Sequence, residues 1–207
     1  FRGTGTAGWD VRSGRDGRHA MGHRFDPRHA DRLMAPERRE ALRPEALLDL
    51  LAIGPADDVA DVGCGPGFFT LPAARRTRGT VYGIDIAPEM LEHLAENARS
   101  AGASNVRPVL SPAAPIPLPD HAVDRAIAAF VLHEVPDLSA ALAEIRRLLR
   151  PGGRLLVVEW DARPMPVGPP LEERLPRERL LEALAAAGFR AEAADHPPHA
   201  YRVLAEV

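Results

Sequence analysis

Apolar positions along the chain follow two rhythms that alternate. From Pro36, the residues Leu42, Ala46, Leu47, Leu50 and Leu51 recur at helical spacing, which predicts a helix over about 36–52 closed by Gly54-Pro55. Residues 59–62 (VADV) then read as a short strand running into glycines. Helical and strand patterns alternate beyond it. Helices are predicted over about 68–76, 88–101 and 138–149, and strands over about 80–84, 106–110, 123–130 and 154–160. The helix at 88–101 opens on Pro88, puts Met90, Leu91 and Leu94 on one face and is followed by Gly102 as a stop. The strand at 123–130 is apolar at both alternate positions, as a central parallel strand should be.

Strand–helix alternation argues for an α/β fold, an open and mostly parallel sheet with helices on both faces. Pro112, Pro115, Pro117 and Pro119 confine residues 112–120 to a loop. The last third differs in pattern. Residues 163–176 carry five prolines and one glycine and read as a loop, 177–187 as a helix stopped by Gly188, and 189–194 and 200–207 as two strands. The connection His196-Pro197-Pro198-His199 is too short for a crossover, so this final pair is expected to be antiparallel. No internal repeat and no linker interrupts 36–207.

With 45% hydrophobic and 27% charged residues among 207, the chain has the profile of a globular protein, best read as one domain. The longest apolar run, 126–132, is far too short for a membrane helix, and no membrane partner is expected. All 26 basic residues are Arg against 29 acidic ones, and the formal charge is −3. The charge is uneven: residues 1–43 carry a net +4 and the remainder −7. The chain begins with Phe1, Met21 is a plausible natural start, and the Gly/Arg-rich residues 1–20 are expected to be disordered. Residues 1–35 are thus read as a flexible basic arm, with a lid as the alternative, ahead of a 36–207 domain. The cytoplasm is the expected compartment, because no apolar stretch resembles a signal peptide and Cys64 is the single cysteine.

The sharpest chemical signal is Asp61-Val62-Gly63-Cys64-Gly65-Pro66-Gly67, directly after a strand and opening a helix. Glycines there let the backbone turn tightly and approach a ligand. In an open α/β sheet such a loop lies at the carboxyl ends of the strands, where ligands bind. The next strand ends in Asp85, whose carboxylate can accept hydrogen bonds from both ribose hydroxyls of a nucleoside. A dinucleotide fingerprint needs a further glycine at 68 or 70, and those positions are Phe68 and Thr70. An acid beside the loop instead suits a ligand that carries an ammonium group. S-adenosylmethionine (SAM) has that group and a ribose.

The stretches VADVGCGPGFFT (59–70), VYGIDIAPEML (81–91), IPLPDHAVD (116–124), AFVLHEVPD (129–137) and LLRPGGRLLVVEW (148–160) resemble a class I SAM-dependent methyltransferase, similar to the ubiquinone/menaquinone-biosynthesis group. The resemblance spans about half the chain. It implies a Rossmann-like, doubly wound, seven-stranded sheet whose last strand is antiparallel, SAM as cofactor and S-adenosylhomocysteine as product. By position, the cofactor-binding set is Asp61, Gly63, Cys64, Gly65 and Gly67 in the loop, Asp85 at the ribose, Ile86 beside the adenine, Ser111 near the adenine edge and Phe130 beside the sulfonium. Many relatives carry an Asp after the third strand, whereas this chain has Leu110-Ser111-Pro112.

Methyl transfer is an in-line displacement, and a base is needed only where the nucleophile must lose a proton. Candidates lie after strands four and five: His133, Glu134, Glu159, Trp160 and the proline-rich cap at 163–176. His133 is the first choice for a base, since imidazole titrates near neutrality. No metal site is expected; His23, Asp26 and His29 have a ligand-like spacing that Pro27 interrupts. Cytosine C5 methylation and cysteine-dependent arsenic methylation are excluded by the single Cys64, and no Asn/Asp-Pro-Pro-aromatic motif is present. The sequence therefore points to methylation of a small-molecule acceptor at an O, N or C nucleophile, by a monomer or homodimer. A non-catalytic SAM-binding subunit, a nicotinamide-dependent oxidoreductase and an RNA methyltransferase using the basic arm are the alternatives. Weak aromatic interleaving and the absence of Lys argue against a nucleic-acid partner.

Overall fold

The computed structural model describes residues 30–207. The expectations for residues 1–20, for Met21 and for His23, Asp26 and His29 lie outside the described residues. Three short helices open the described chain: α1 (Ala30–Leu33), α2 (Pro36–Leu42) and α3 (Pro44–Leu51). The single helix expected over 36–52 is therefore two. Arg43 adopts a left-handed conformation (φ 45°, ψ 60°) between them. The physical reason is Pro44, which disfavours helical backbone at the residue before it and has no N–H for a continuous helix. It serves instead as the first residue of α3.

The alternating part follows as β1 (Val59–Val62), α4 (Thr70–Ala74), β2 (Val81–Asp85), α5 (Pro88–Ser100), β3 (Val106–Leu110), β4 (Val123–Ala129), α6 (Leu138–Leu148) and β5 (Leu149–Trp160). The chain ends in α7 (Arg177–Ala186), β6 (Arg190–His196) and β7 (Ala200–Glu206). The helix expected over 68–76 is shorter. The fifth strand starts earlier than expected, because Pro151-Gly152-Gly153 does not stop it. Leu149 pairs with Val123 and Arg154 with Arg125, so the intervening residues bulge out of register.

All seven strands form one sheet in the order β3-β2-β1-β4-β5-β7-β6. Every pair is parallel except those of β7, which runs antiparallel to both β5 and β6. This is the mostly parallel, doubly wound sheet with a C-terminal antiparallel hairpin that the sequence led us to expect. Side chains alternate between two cores. Ala126, Ala128, Leu155 and Val157 pack with α6 and α7 on one face, while Ile127, Leu156 and Val158 pack with α3, α4 and α5 on the other. Two-sided burial explains why β4, the middle strand of the seven, is apolar at every position from Ala126 to its end.

Connections from β1 lead toward β2 and β3, and those from β4 lead toward β5. The switch between β1 and β4 leaves a crevice at their carboxyl ends, the place where open α/β sheets bind ligands. The cap at 163–176 closes over the β5 end. The Arg174 guanidinium, itself buried, organises that cap by donating to the carbonyls of Pro169 (2.9 Å), Asp161 (3.1 Å), Arg163 (2.6 Å) and Val167 (2.9 Å). Tyr201 in β7 ties it down by donating its hydroxyl to the Leu175 carbonyl at 2.8 Å.

Candidate functional site

The glycine loop leaves β1 at the crevice. The Gly63 and Cys64 amides both donate to the Ile84 carbonyl, at 2.8 and 3.0 Å, which ties the loop to β2. Gly63 has φ +72°, and a Cβ there would stand 2.4 Å from Val131 Cγ2, so the loop passes against the segment after β4. Gly65 has φ +52°, but a Cβ there would meet nothing nearer than Leu33 Cδ1 at 3.5 Å. Gly65 is buried, and an added Cβ would come into ordinary contact with Leu33 of α1, which stands over it.

Asp85 ends β2 and is half-buried. Its Oδ2 accepts from the Gly65 amide and its Oδ1 from the Ala87 amide, both at 2.9 Å. The carboxylate is therefore fixed in orientation, and each oxygen retains a lone pair for a further donor. Beyond it, Ile86 is 43% exposed and Leu110, at the end of the neighbouring strand β3, is 60% exposed. These are two of only four large exposed apolar side chains among the described residues, and both lie at the carboxyl ends of adjacent strands. Sequence reasoning named Ile86 and overlooked Leu110. An apolar residue ending an edge strand just before Ser-Pro was the available signal.

Three residues of the expected set are buried. Asp61 is 1% exposed and accepts from the Thr70 hydroxyl at 2.6 Å. Burial pushes its carboxyl up to about 7, the Thr70 hydrogen bond pulls it back, and the charge of Asp85 adds to the rise. Cys64 is buried, its thiol directed to the Gly65 carbonyl at 3.5 Å, and burial with the charges of Asp61 and Asp85 pushes its pKa well up. It is an inert packing residue whose backbone, not its sulfur, belongs to the loop. Ser111 is buried as well, with its hydroxyl donating to the Pro115 carbonyl at 2.8 Å and its amide to the Asp85 carbonyl at 2.9 Å. It braces the proline loop beside the slot.

Phe130 ends β4 in a left-handed conformation (φ 57°), a strained backbone for a bulky residue. The turn places its ring 4.7 Å from Trp160, at the end of β5, with an interplanar angle of 47°. Two aromatic rings thus stand together at the ends of β4 and β5. They suit a cation, as a sulfonium is.

His133 and Glu159 are brought together by parallel pairing of β4 with β5. Glu159 is 0% exposed. Its Oε1 accepts from the amides of Leu132 (2.9 Å) and His133 (3.3 Å), and its Oε2 from His133 Nδ1 at 2.8 Å. That contact puts the proton on Nδ1 and leaves Nε2 as the free base. Nε2 stands 3.7 Å from a Glu134 oxygen. Burial, the largest influence, lowers the imidazole pKa, but the charge and hydrogen bond of Glu159, with Glu134 and Glu173 adding, leave it raised above 6.5. His133 lines a cavity of about 250 Å³ together with Leu132, Pro136, Glu173, Leu175 and Arg179. The Glu173 Oε2 atom is buried there without a hydrogen-bond partner. Sequence reading ranked Glu159 below His133, because nothing in a linear pattern shows that the two touch.

Residues 60–157 match the family model described as "Methyltransferase domain". Among curated proteins, the chain is similar to Nocamycin O-methyltransferase of Saccharothrix syringae, 38% identical over 160 residues, covering 71% of this chain and 55% of that protein. It is also similar to Demethylmenaquinone methyltransferase of Tropheryma whipplei, 36% identical over 116 residues, covering 56% of this chain and 47% of that protein. The chain thus spans about half the length of these curated relatives. Among solved structures, the SAM dependent methyltransferase from Aquifex aeolicus superposes with a TM-score of 0.84 at 30% identity, covering 89% of this chain and all of that one. With the glycine loop, the acid that ends β2 and the β7-reversed sheet all in place, the chain belongs to the class I SAM-dependent methyltransferases.

Proposed function

We propose that the protein transfers the methyl group of SAM to a small-molecule acceptor bearing an acidic hydroxyl or a comparable protic nucleophile. The observation that carries the acceptor reading is the Glu159–His133 pair beside a cavity at the ends of β4 and β5. The relatives named for nocamycin and demethylmenaquinone support a small-molecule acceptor. SAM, when bound, supplies an electrophilic methyl on a sulfonium. The chain supplies the rest. Gly63, Gly65 and Gly67 expose the loop backbone to the methionine part, Asp85 takes the ribose hydroxyls, and Ile86 and Leu110 sandwich the adenine. Phe130 and Trp160 face the sulfonium, and His133 Nε2 takes the acceptor proton as the nucleophile attacks. Residues 36–207 form the catalytic domain of a cytoplasmic monomer or homodimer, preceded by a basic arm at 1–35 that can serve as its lid. The approach of Leu33 to Gly65 supports the lid. No helix among the described residues is long and apolar enough to cross a membrane.

The test is calorimetric titration with SAM and S-adenosylhomocysteine, with NADH and NADPH alongside. Binding of the two adenosyl compounds alone is expected, and binding of a nicotinamide cofactor would overturn the reading. Asp85→Ala is expected to weaken S-adenosylhomocysteine binding by roughly 10- to 100-fold, the range for hydrogen bonds to a charged group. Unchanged affinity removes Asp85 from the ribose.

Asp61 gives this binding a pH signature. Its carboxyl, near 7 in the free protein, is mostly protonated at about pH 6 and ionised at about pH 8. An ammonium held beside the loop favours the ionised form, so binding at the lower pH must expel a proton. Affinity for S-adenosylhomocysteine is therefore expected to rise about ten-fold between these pH values, and Asp61→Asn to flatten the rise. Stability moves the other way. A carboxyl raised by folding favours the folded chain below its ordinary range, and that contribution is lost as pH rises through about 7. Opposite slopes in calorimetry and thermal melting separate the two effects; parallel slopes would remove Asp61 from the ammonium.

A further inference from the structure

Glu173 ends a single 3-10 turn, Leu171–Glu173, inside the proline-rich cap. Its neighbours set its place. Its own amide donates to the Pro170 carbonyl at 3.1 Å. Arg174, the next residue, is buried and pinned by the four cap carbonyls described above. Leu175, also buried, is held through its carbonyl by the Tyr201 hydroxyl. The backbone at Glu173 is thus fixed on both sides, whereas its Oε2 atom is buried with no hydrogen-bond partner. The adjacent arginine does not serve it. Arg174 spends its donors on carbonyls, and the acid whose charge acts on it is Asp161. A carboxylate oxygen removed from water without a donor is costly, and such an orphan in a rigid segment calls for a functional explanation.

The cavity says what the partner is. Glu173 and His133 line the same space of about 250 Å³, and the Glu173 charge reaches the imidazole. That volume falls below the roughly 300–1,000 Å³ of sites for drug-sized ligands, so the part of the acceptor it holds is small. Leu132, Pro136, Leu138 and Leu175 give it apolar walls. Its remaining charges, Glu172 and Glu173 against Arg174 and Arg179, are equal in number. The cavity therefore lacks a hydrogen-bond donor rather than a counter-charge, and a neutral hydroxyl meets that need. An ionised carboxylate can only accept, so an ether or a carbonyl at this wall would leave both groups unpaired. We propose that Glu173 selects the methyl acceptor by accepting a hydrogen bond from a second hydroxyl on it, apart from the protic group that faces His133. The acceptor is then a small apolar body with two protic groups. This inference rests on the methyltransferase reading above and adds the feature by which the cavity tells one acceptor from another. A site built to hold a hydroxyl rejects the analogue that lacks it, because its own buried group is then left unpaired.

Small phenols serve as probes, titrated by calorimetry into protein saturated with S-adenosylhomocysteine. Phenol has one hydroxyl, and the 1,2-, 1,3- and 1,4-dihydroxybenzenes add a second at three spacings. Tyramine carries an ammonium instead. One of the dihydroxybenzenes is expected to bind roughly 10- to 100-fold more tightly than phenol, the range for a hydrogen bond to a charged group. In Glu173→Leu that advantage is expected to shrink to within about two-fold, with phenol itself bound as in the wild type. Glu173→Gln, which keeps an acceptor oxygen but not the charge, is expected to fall between. Retained binding of S-adenosylhomocysteine and phenol shows that the variants are folded. Failure of every dihydroxybenzene to exceed phenol, or to bind at all, overturns the inference while leaving the SAM reading intact. An advantage that survives in Glu173→Leu overturns it as well. Equal losses for phenol and the dihydroxybenzenes leave Glu173 as part of the cap's packing and overturn it too. Tyramine as the tightest probe replaces the second hydroxyl with an ammonium and overturns it in that form. Failure of the wild type to bind S-adenosylhomocysteine overturns the SAM reading and this inference together.

Discussion

His133→Ala is expected to lower methyl transfer by roughly 10²- to 10⁴-fold, the span of general-base catalysis, while S-adenosylhomocysteine affinity stays within about two-fold. The expectation follows from which atom is left free. Glu159 holds Nδ1 of the ring at 2.8 Å, so the basic lone pair sits on Nε2 at the cavity beneath the cap. The pairing also raises the imidazole pKa above 6.5, because the charge and hydrogen bond of Glu159 outweigh the lowering by burial. A base works only when unprotonated. Turnover is therefore expected to rise with pH through a pKa above 6.5, a value that imidazole proton shifts in NMR also report. Glu159→Gln keeps the shape and removes the charge. It is expected to move that pKa, and the rising limb of the rate profile, to lower pH while reducing the limiting rate. A merely structural tie between β4 and β5 predicts something else: a lower melting temperature for both variants, with the profile of the remaining activity unmoved. Labelled methyl transfer to a protic acceptor, followed against pH, distinguishes the two.

The fold was largely legible because the central strands of a doubly wound sheet are buried on both faces. Ala126–Ala129 and Leu155–Val158 are apolar at every position, and no surface role dilutes the pattern. Boundaries went astray where one local residue overrode a periodic signal. Pro44 split a helix whose apolar spacing continues through it, and Gly152 let β5 bulge rather than stop. The glycine loop and Asp85 were legible because their function depends on backbone conformation and on a strand end, both of which leave a linear trace. Side-chain neighbours drawn from distant segments were not. Glu173 is one of 29 acidic residues, and only the cavity it shares with His133 distinguishes it. Glu159 lies 26 residues from His133, and only strand pairing brings the two together. Cys64 and Ser111 show the converse: they occupy motif positions, yet their side chains point into the protein rather than into the crevice.

Gly65→Val is expected to yield a folded chain that no longer binds S-adenosylhomocysteine, with affinity reduced by roughly 100-fold or more, the upper end of overpacking costs. Two features of Gly65 lead to this. Its φ of +52° is a left-handed conformation that a β-branched residue adopts only at a cost of about 1–2 kcal/mol, so a modest fall in melting temperature is expected. The protein itself, however, has room, since the nearest atom to an added Cβ is Leu33 Cδ1 at 3.5 Å. The valine methyls therefore project into the space that the glycine loop keeps for the methionine part. Gly63 makes the contrast. A Cβ there would come within 2.4 Å of Val131 Cγ2 and 2.6 Å of Val131 Cβ, at φ +72°, so Gly63→Val is expected to damage the packing of the loop against the β4 end and to melt far earlier. Circular dichroism melts paired with calorimetry separate the cases. A folded, non-binding Gly65→Val beside an unstable Gly63→Val places the ligand over Gly65. Wild-type affinity in Gly65→Val would move the methionine part off the loop.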